Sequence, residues 1–195
     1  MEEKPFLVLG LGEILWDMLP EGKQLGGAPA NFAFHAGELG ADSRVISCIG
    51  SDPLGEEIRE TLHVNGVSVD GIAEDPAHPT GTVSIILEEG GVPTYTIHED
   101  VAWDFIPTTR AYTDLAAKAD AVCVGSLASR SPYSRESIRR ILDATMPRCL
   151  RVFDVNLRQN YYTQDLIQDL MERADVLKLN EDELPIVTEF LNIDG

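Results

Sequence analysis

Residues 121–155 read AVCVGSLASRSPYSRESIRRILDATMPRCLRVFDV, a strand, a helix and a second strand in succession. Ala121–Gly125 is a short apolar run closed by glycine, which reads as a strand. Ser131 and Pro132 follow as a helix start, serine as the cap and proline next, for a helix near Ser134–Ala144. Leu150–Val155 is a second strand. The same alternation continues downstream with a helix near Gln164–Arg173, a strand at Val176–Leu179 and a helix near Glu181–Leu191. Upstream, Phe6–Gly12 reads as a buried first strand. A helix over Ala30–Leu39, ended by Gly40, leads to a strand at Arg44–Ile49. Asp52-Pro53 starts another helix, with Asp52 as its cap and Glu56 and Glu57 well placed against the dipole. Leu54, Ile58 and Leu62 give it one apolar stripe, and Asn65-Gly66 stops it. Strands alternating with helices predict an α/β fold, a doubly wound and mainly parallel sheet with helices on both faces.

Two runs break this rhythm. In Thr82–Glu88, Val83, Ile85 and Leu87 alternate with polar residues, although Ile86 blurs the pattern. In Pro93–His98, Tyr95 and Ile97 alternate with Thr94, Thr96 and His98. Glu89-Gly90-Gly91-Val92 supplies a turn, so the pair predicts a hairpin with one apolar face. That face needs cover, from a crevice in the main domain or from a second chain.

At 195 residues the chain can bury one good core, so a single main domain is expected. A net charge of −18 argues against nucleic acid or an anionic membrane as partner. The longest apolar runs are far too short to cross a bilayer, and Met1-Glu2-Glu3-Lys4 does not open a signal peptide. Cys48, Cys123 and Cys149 are odd in number and scattered, which fits reduced thiols and a cytoplasmic setting. No repeat or low-complexity segment interrupts the chain. His35, His63, His78 and His98 lack metal-ligand spacing.

Several motifs carry chemistry. Gly26-Gly27-Ala28-Pro29-Ala30-Asn31 lies at the mouth of a helix. The glycines let backbone approach a ligand, Pro29 suits a first helical position, and Asn31 follows in the first turn. Ala30, Ala33 and Ala36 keep that helix thin. In Gly12-Glu13-Ile14-Leu15-Trp16-Asp17, which follows the first strand, Asp17 is the expected carboxylate in the crevice, able to accept two hydroxyls. Asp154-Val155-Asn156-Leu157-Arg158 leaves the end of a strand, and Arg158 offers a planar donor fork to sugar or phosphate oxygens. Asn180-Glu181-Asp182-Glu183 follows the next strand and also has the spacing of a capping box, which Pro185 weakens. Gly125-Ser126 ends another strand in the same crevice. Trp103 is expected to plug the base of the hairpin, and Tyr161-Tyr162 to pack a loop. Gly10-x-Gly12 lacks the third glycine of a dinucleotide fingerprint, and the chain contains no P-loop.

Taken together, these motifs resemble the ribokinase-like (PfkB) carbohydrate kinases, most of all the fructokinase branch, from Val8 to about Leu191. The resemblance implies the N-terminal portion of such a kinase over 1–195, with a small β-sheet lid built from segments about 11–25 and 82–100. It implies transfer of the γ-phosphoryl of ATP to a hexose hydroxyl, with fructose as acceptor. A kinase for 2-keto-3-deoxygluconate or a nucleoside is the alternative, as is a non-catalytic sugar-binding protein. Asp17, Gly26, Gly27, Asn31, Asp154 and Asn156 would hold the sugar, with Arg158 near the transfer site. Asn180 and Glu183 would serve ATP and Mg²⁺, Glu183 through a water because Mg²⁺ takes few carboxylates. The family's catalytic base, in a G-A-G-D motif, has no counterpart here, since Gly40-Ala41-Asp42 lacks the second glycine and comes too early. The base is therefore expected beyond residue 195. A homodimer through the lid would follow from the hairpin's apolar face.

Overall fold

The computed structural model describes residues 4–87 and 93–191. In chain order its elements are β1 (Leu7–Leu11), β2 (Leu15–Leu19), β3 (Gly22–Gly26), α1 (Ala28–Glu38), β4 (Asp42–Gly50), α2 (Pro53–Val64) and β5 (Ile72–Asp75). Then come β6 (Thr82–Leu87), β7 (Pro93–Ile97), α3 (Arg110–Ala116), β8 (Ala121–Gly125), α4 (Pro132–Asp143), β9 (Leu150–Asp154), α5 (Gln164–Arg173), β10 (Val176–Lys178) and α6 (Glu183–Phe190). Single 3-10 turns at Ala102–Phe105 and Leu127–Arg130 precede α3 and α4.

Six strands in the order β10-β9-β8-β1-β4-β5 form the main sheet, every neighbouring pair parallel. Side chains alternate between its faces, and two cores result. Leu9, Leu11, Ile46, Val122 and Phe153 face Trp103 and the apolar sides of α4 and α5. Val45 and Ile49 face Ala30 and Ala33 of α1 and Ile58 and Leu62 of α2. The small residues of α1 let it lie close on β1, so that a Cβ at Gly10 would run into the Pro29 carbonyl.

The sequence expectations hold with local corrections. Phe6 is 73% exposed and precedes β1, because it has no strand to pack between. Pro29 is the second residue of α1, not the first. The Ser131 hydroxyl does not cap α4; it donates to the Asp104 carbonyl at 2.5 Å, a competing acceptor brought in by the fold. α6 starts at Glu183, two residues late, which puts Pro185 in the first turn where a missing N–H is harmless. β5 has no counterpart in the sequence reading. It is four residues long and half acidic, and only its backbone pairing with β4 makes it a strand.

The chain visits β4 and β5 on one side of β1, then crosses to β8, β9 and β10 on the other. Loops leaving β1 and β8 therefore diverge and open a crevice at their carboxyl ends. A four-stranded sheet in the order β3-β2-β6-β7 covers it, with β2 and β6 parallel and the outer pairs antiparallel. The expected lid is thus present. Its turn at 89–92 lies outside the described residues, as do the side chains of Ile85, Ile86 and Leu87. Val83 and Ile97 are buried against the crevice. Trp103 is fully buried at the lid's base. The Arg130 guanidinium lies 4.0 Å from its ring centroid and forms a bidentate pair with Asp104. The three cysteines are buried free thiols, and burial pushes Cys48 and Cys123 up to about 12. Among the described residues no helix is long and apolar enough to cross a membrane.

Candidate active site

The acid at the carboxyl end of β1 is Glu13, not Asp17. Gly12, at φ +148°, turns the chain out of the sheet and leaves Glu13 1% exposed between the ends of β1 and β8. Glu13 Oε1 accepts the Ala28 N–H at 3.3 Å, while Oε2 has no hydrogen-bond partner among the described residues. Burial pushes this carboxyl up to about 7, and the Asp154 charge acts in the same direction. A Cβ on Gly125 would stand 3.6 Å from Oε1, an ordinary contact, so the acid lies directly against the end of β8. Sequence reasoning ended the strand at Gly12 but chose Asp17, which lies on β2, over Glu13 next to that end.

Asp17 reaches the crevice from above, on β2 of the lid. It is half-buried, and burial raises its carboxyl while the Arg158 charge lowers it. Gly26 pairs with Leu15 across β2 and β3, and a Cβ there would strike the Asp17 carboxylate. Gly27 caps α1 at φ +110° with its backbone against the Glu13 carbonyl, where no Cβ fits. Asn31, whose N–H donates to Gly27 O at 2.9 Å, is exposed one turn into the helix.

The opposite wall is the loop after β9. Both Asp154 oxygens accept Lys178 Nζ at 2.9 Å, a pair with no signal in local sequence because it spans two strands. Asn156 and Gln159 hold positive φ, +41° and +47°, on either side of Leu157 and Arg158. Ser126 Oγ donates to Asn156 O at 3.4 Å, tying the end of β8 to this loop. The Arg158 guanidinium donates only to the carbonyl of Leu157, at 3.0 Å, among the described residues.

Glu183 is buried and has both oxygens in use. Oε1 accepts the Leu157 N–H at 2.8 Å and Oε2 the Asn180 N–H at 3.0 Å. Asn180 Oδ1 in turn accepts the N–H groups of Asp182 and Glu183 at 2.9 Å. This is a reciprocal cap that also clamps the loop carrying Arg158. Among the described residues no group of three His, Cys, Asp or Glu side chains could hold a metal ion. Glu183, the carboxylate expected to serve Mg²⁺ through a water, instead has both oxygens engaged by backbone N–H groups.

A cavity of about 1310 Å³ joins these walls. Asp17, Gly26, Gly27, Asn31, Asp154, Asn156 and Arg158 all line it, together with Glu13, Gln159 and Lys178. Asn180 and Glu183 stand outside its lining. Its upper end, under the lid, sets Asp17, Gln24 and Arg158 among Leu15, Val83 and Ile97. Its lower end runs along an α1 stripe of Phe32, His35, Ala36 and Leu39 beside Ala121, Cys123 and Val152 of the sheet, and is mostly apolar.

The profile described as pfkB family carbohydrate kinase matches residues 21–194. A fructokinase of Klebsiella pneumoniae is 33% identical over 190 residues, covering 91% of this chain and 61% of that enzyme. The crystal structure of a sugar kinase from Pyrococcus horikoshii superposes with a TM-score of 0.82 at 30% identity, covering 96% of this chain and 67% of that one. The same kinase in complex with ATP gives a TM-score of 0.80 at 29% identity, with coverages of 94% and 66%. A Vibrio cholerae fructokinase with fructose, ADP and potassium ion bound gives 0.76 at 25% identity, covering 99% and 67%. The chain spans less than two thirds of the length of the curated relatives it matches.

Proposed function

We propose that this chain, which belongs to the pfkB family of carbohydrate kinases, forms the sugar-holding part of an ATP-dependent fructokinase. One observation carries the reading: Asp17 on the lid and Arg158 on the loop after β9 line one crevice, with the Arg158 charge acting on the Asp17 carboxyl. An anion that accepts hydroxyls and a cation that meets phosphoryl oxygens then stand either side of one small-molecule site. Asp17 accepts two hydroxyls of the sugar with charge-assisted bonds. The Gly26–Gly27 backbone and Asn31 complete that wall. Bound ATP supplies the phosphoryl group, with Mg²⁺ carried on its phosphates. Arg158 offsets charge on the transferred group, and the lid keeps water out. The proton on the acceptor hydroxyl needs a base that residues 1–195 do not supply through a G-A-G-D motif. The buried thiols support a reducing, cytoplasmic setting.

The test is ADP release by the full-length protein with fructose and MgATP, set beside 2-keto-3-deoxygluconate and nucleosides. Fructose-dependent turnover is expected. Turnover with another acceptor alone would replace the reading with that kinase, and sugar binding without turnover would favour a non-catalytic binding protein. Asp17→Ala should weaken fructose binding by roughly 1.5–3 kcal/mol per charged hydrogen bond lost. Unaltered affinity in calorimetry would remove Asp17 from the site.

A further inference from the structure

The loop after β9 touches both the floor and the roof of the crevice. Asn156, Leu157 and Arg158 line the cavity, and the residues that follow reach the lid. Gln159 Nε2 donates to Tyr95 O at 2.7 Å. Tyr161 Oη stands 2.7 Å from Glu99 Oε1 and 3.3 Å from Ile97 O, so its one proton ties it to the end of β7. The spacing matches on both sides. Tyr95 and Ile97 are two apart on the outer strand of the lid sheet, and their carbonyls lie on the edge that β6 leaves unpaired. Gln159 and Tyr161 are also two apart.

The anchor behind these contacts is rigid. Arg130 donates to His98 O at 2.6 Å, and its guanidinium lies 4.0 Å from the Trp103 ring centroid and 4.6 Å from that of Tyr161. The floor end of the loop is held by Glu183 through the Leu157 N–H. Between the two anchors, Asn156 and Gln159 keep left-handed conformations that persist only where neighbours impose them. Arg158 sits between these two joints, so its place depends on what holds Gln159.

We propose that Gln159 and Tyr161 are positioning residues that latch lid strand β7 to the turn carrying Arg158. A sugar seated under the lid and the guanidinium beside the transferred phosphoryl are then set by one linkage. What fills the crevice rests on the sugar-kinase reading; the latch rests on the contacts alone. The Gln159 and Tyr161 bonds are exposed to water, so each is weak and the latch can open to admit the ligand.

The test uses the full-length protein carrying Gln159→Ala, Tyr161→Phe and both together. Without ligand, amide hydrogen exchange over residues 93–98 should quicken by about tenfold in the double variant, while residues 121–125 stay as they were. With fructose and MgATP, KM for fructose should rise by about tenfold, and the kcat loss from Arg158→Ala should shrink in the unlatched background, since coupled residues are not additive. Unchanged exchange over 93–98 overturns the latch whatever the activity. Faster exchange with an unchanged KM and an additive Arg158 effect overturns its positioning role. If the wild-type protein turns over no fructose while the double variant still exchanges faster, the fructokinase reading fails and the lid-to-loop tie stands.

Discussion

Glu13 shows most directly how a single side chain can be decided by the fold. Its carboxyl is buried with one oxygen unpartnered among the described residues, and burial pushes its pKa from 4.5 to about 7. Between those values the folded chain keeps a proton that the unfolded chain has released. Stability therefore falls as pH rises from about 4.5 to about 7, and is level above that. Glu13→Gln keeps the shape and removes the ionisation. It should be more stable than the wild type at pH 8 by up to about 3 kcal/mol, and the gap should close towards pH 4.5. Urea unfolding across this range measures it, and parallel pH profiles would show that the acid is not held out of water. The glycines and polar residues of the crevice were legible in the sequence because their motifs are local. Glu13 was not, since its burial depends on where β1 ends, how β8 lies beside it and what α1 donates.

Among the elements, α2 was read almost in full, because its signals sit within one turn. Asp52 caps it as expected, Oδ1 accepting the Gly55 N–H at 2.9 Å. The structure adds a second task, since Asp52 also accepts Thr80 N–H at 2.8 Å and Thr80 Oγ1 at 2.7 Å, just before β6 of the lid. Burial pushes this carboxyl up, but the hydrogen bonds from Thr80 and Gly55 outweigh it and leave it below the usual range. Asp52→Ala removes all three bonds and should destabilise by roughly 2–3 kcal/mol, more than a cap alone gives. A loss under about 1 kcal/mol in thermal or urea unfolding would mean the Thr80 bonds add nothing in solution. Where a cap has a rival, the sequence misleads. Ser131 precedes α4 as a cap should, yet its hydroxyl serves Asp104, a residue that only tertiary packing brings near.

For the whole molecule, the sheet is covered unevenly. On the side of α1, β8 to β10 present Ala121, Cys123, Val152 and Lys178 to the cavity, and β10 leaves one strand edge unpaired among the described residues. No G-A-G-D motif lies within residues 1–195. Residues 1–195 alone should therefore release ADP with fructose no faster than background, and should self-associate as concentration rises. Sugar-dependent turnover in a coupled assay, or a monomer at all concentrations in sedimentation, would contradict this. The parallel α/β architecture, the lid hairpin and the crevice motifs were legible in the chain alone. Each is written in neighbouring residues, through the period of apolar side chains, the helix caps and the glycines at strand ends. The burial of Glu13 beneath the lid and the hold of Gln159 and Tyr161 on β7 came from the fold alone. Those placements join residues from separate strands, and no local spacing encodes which strand ends will meet.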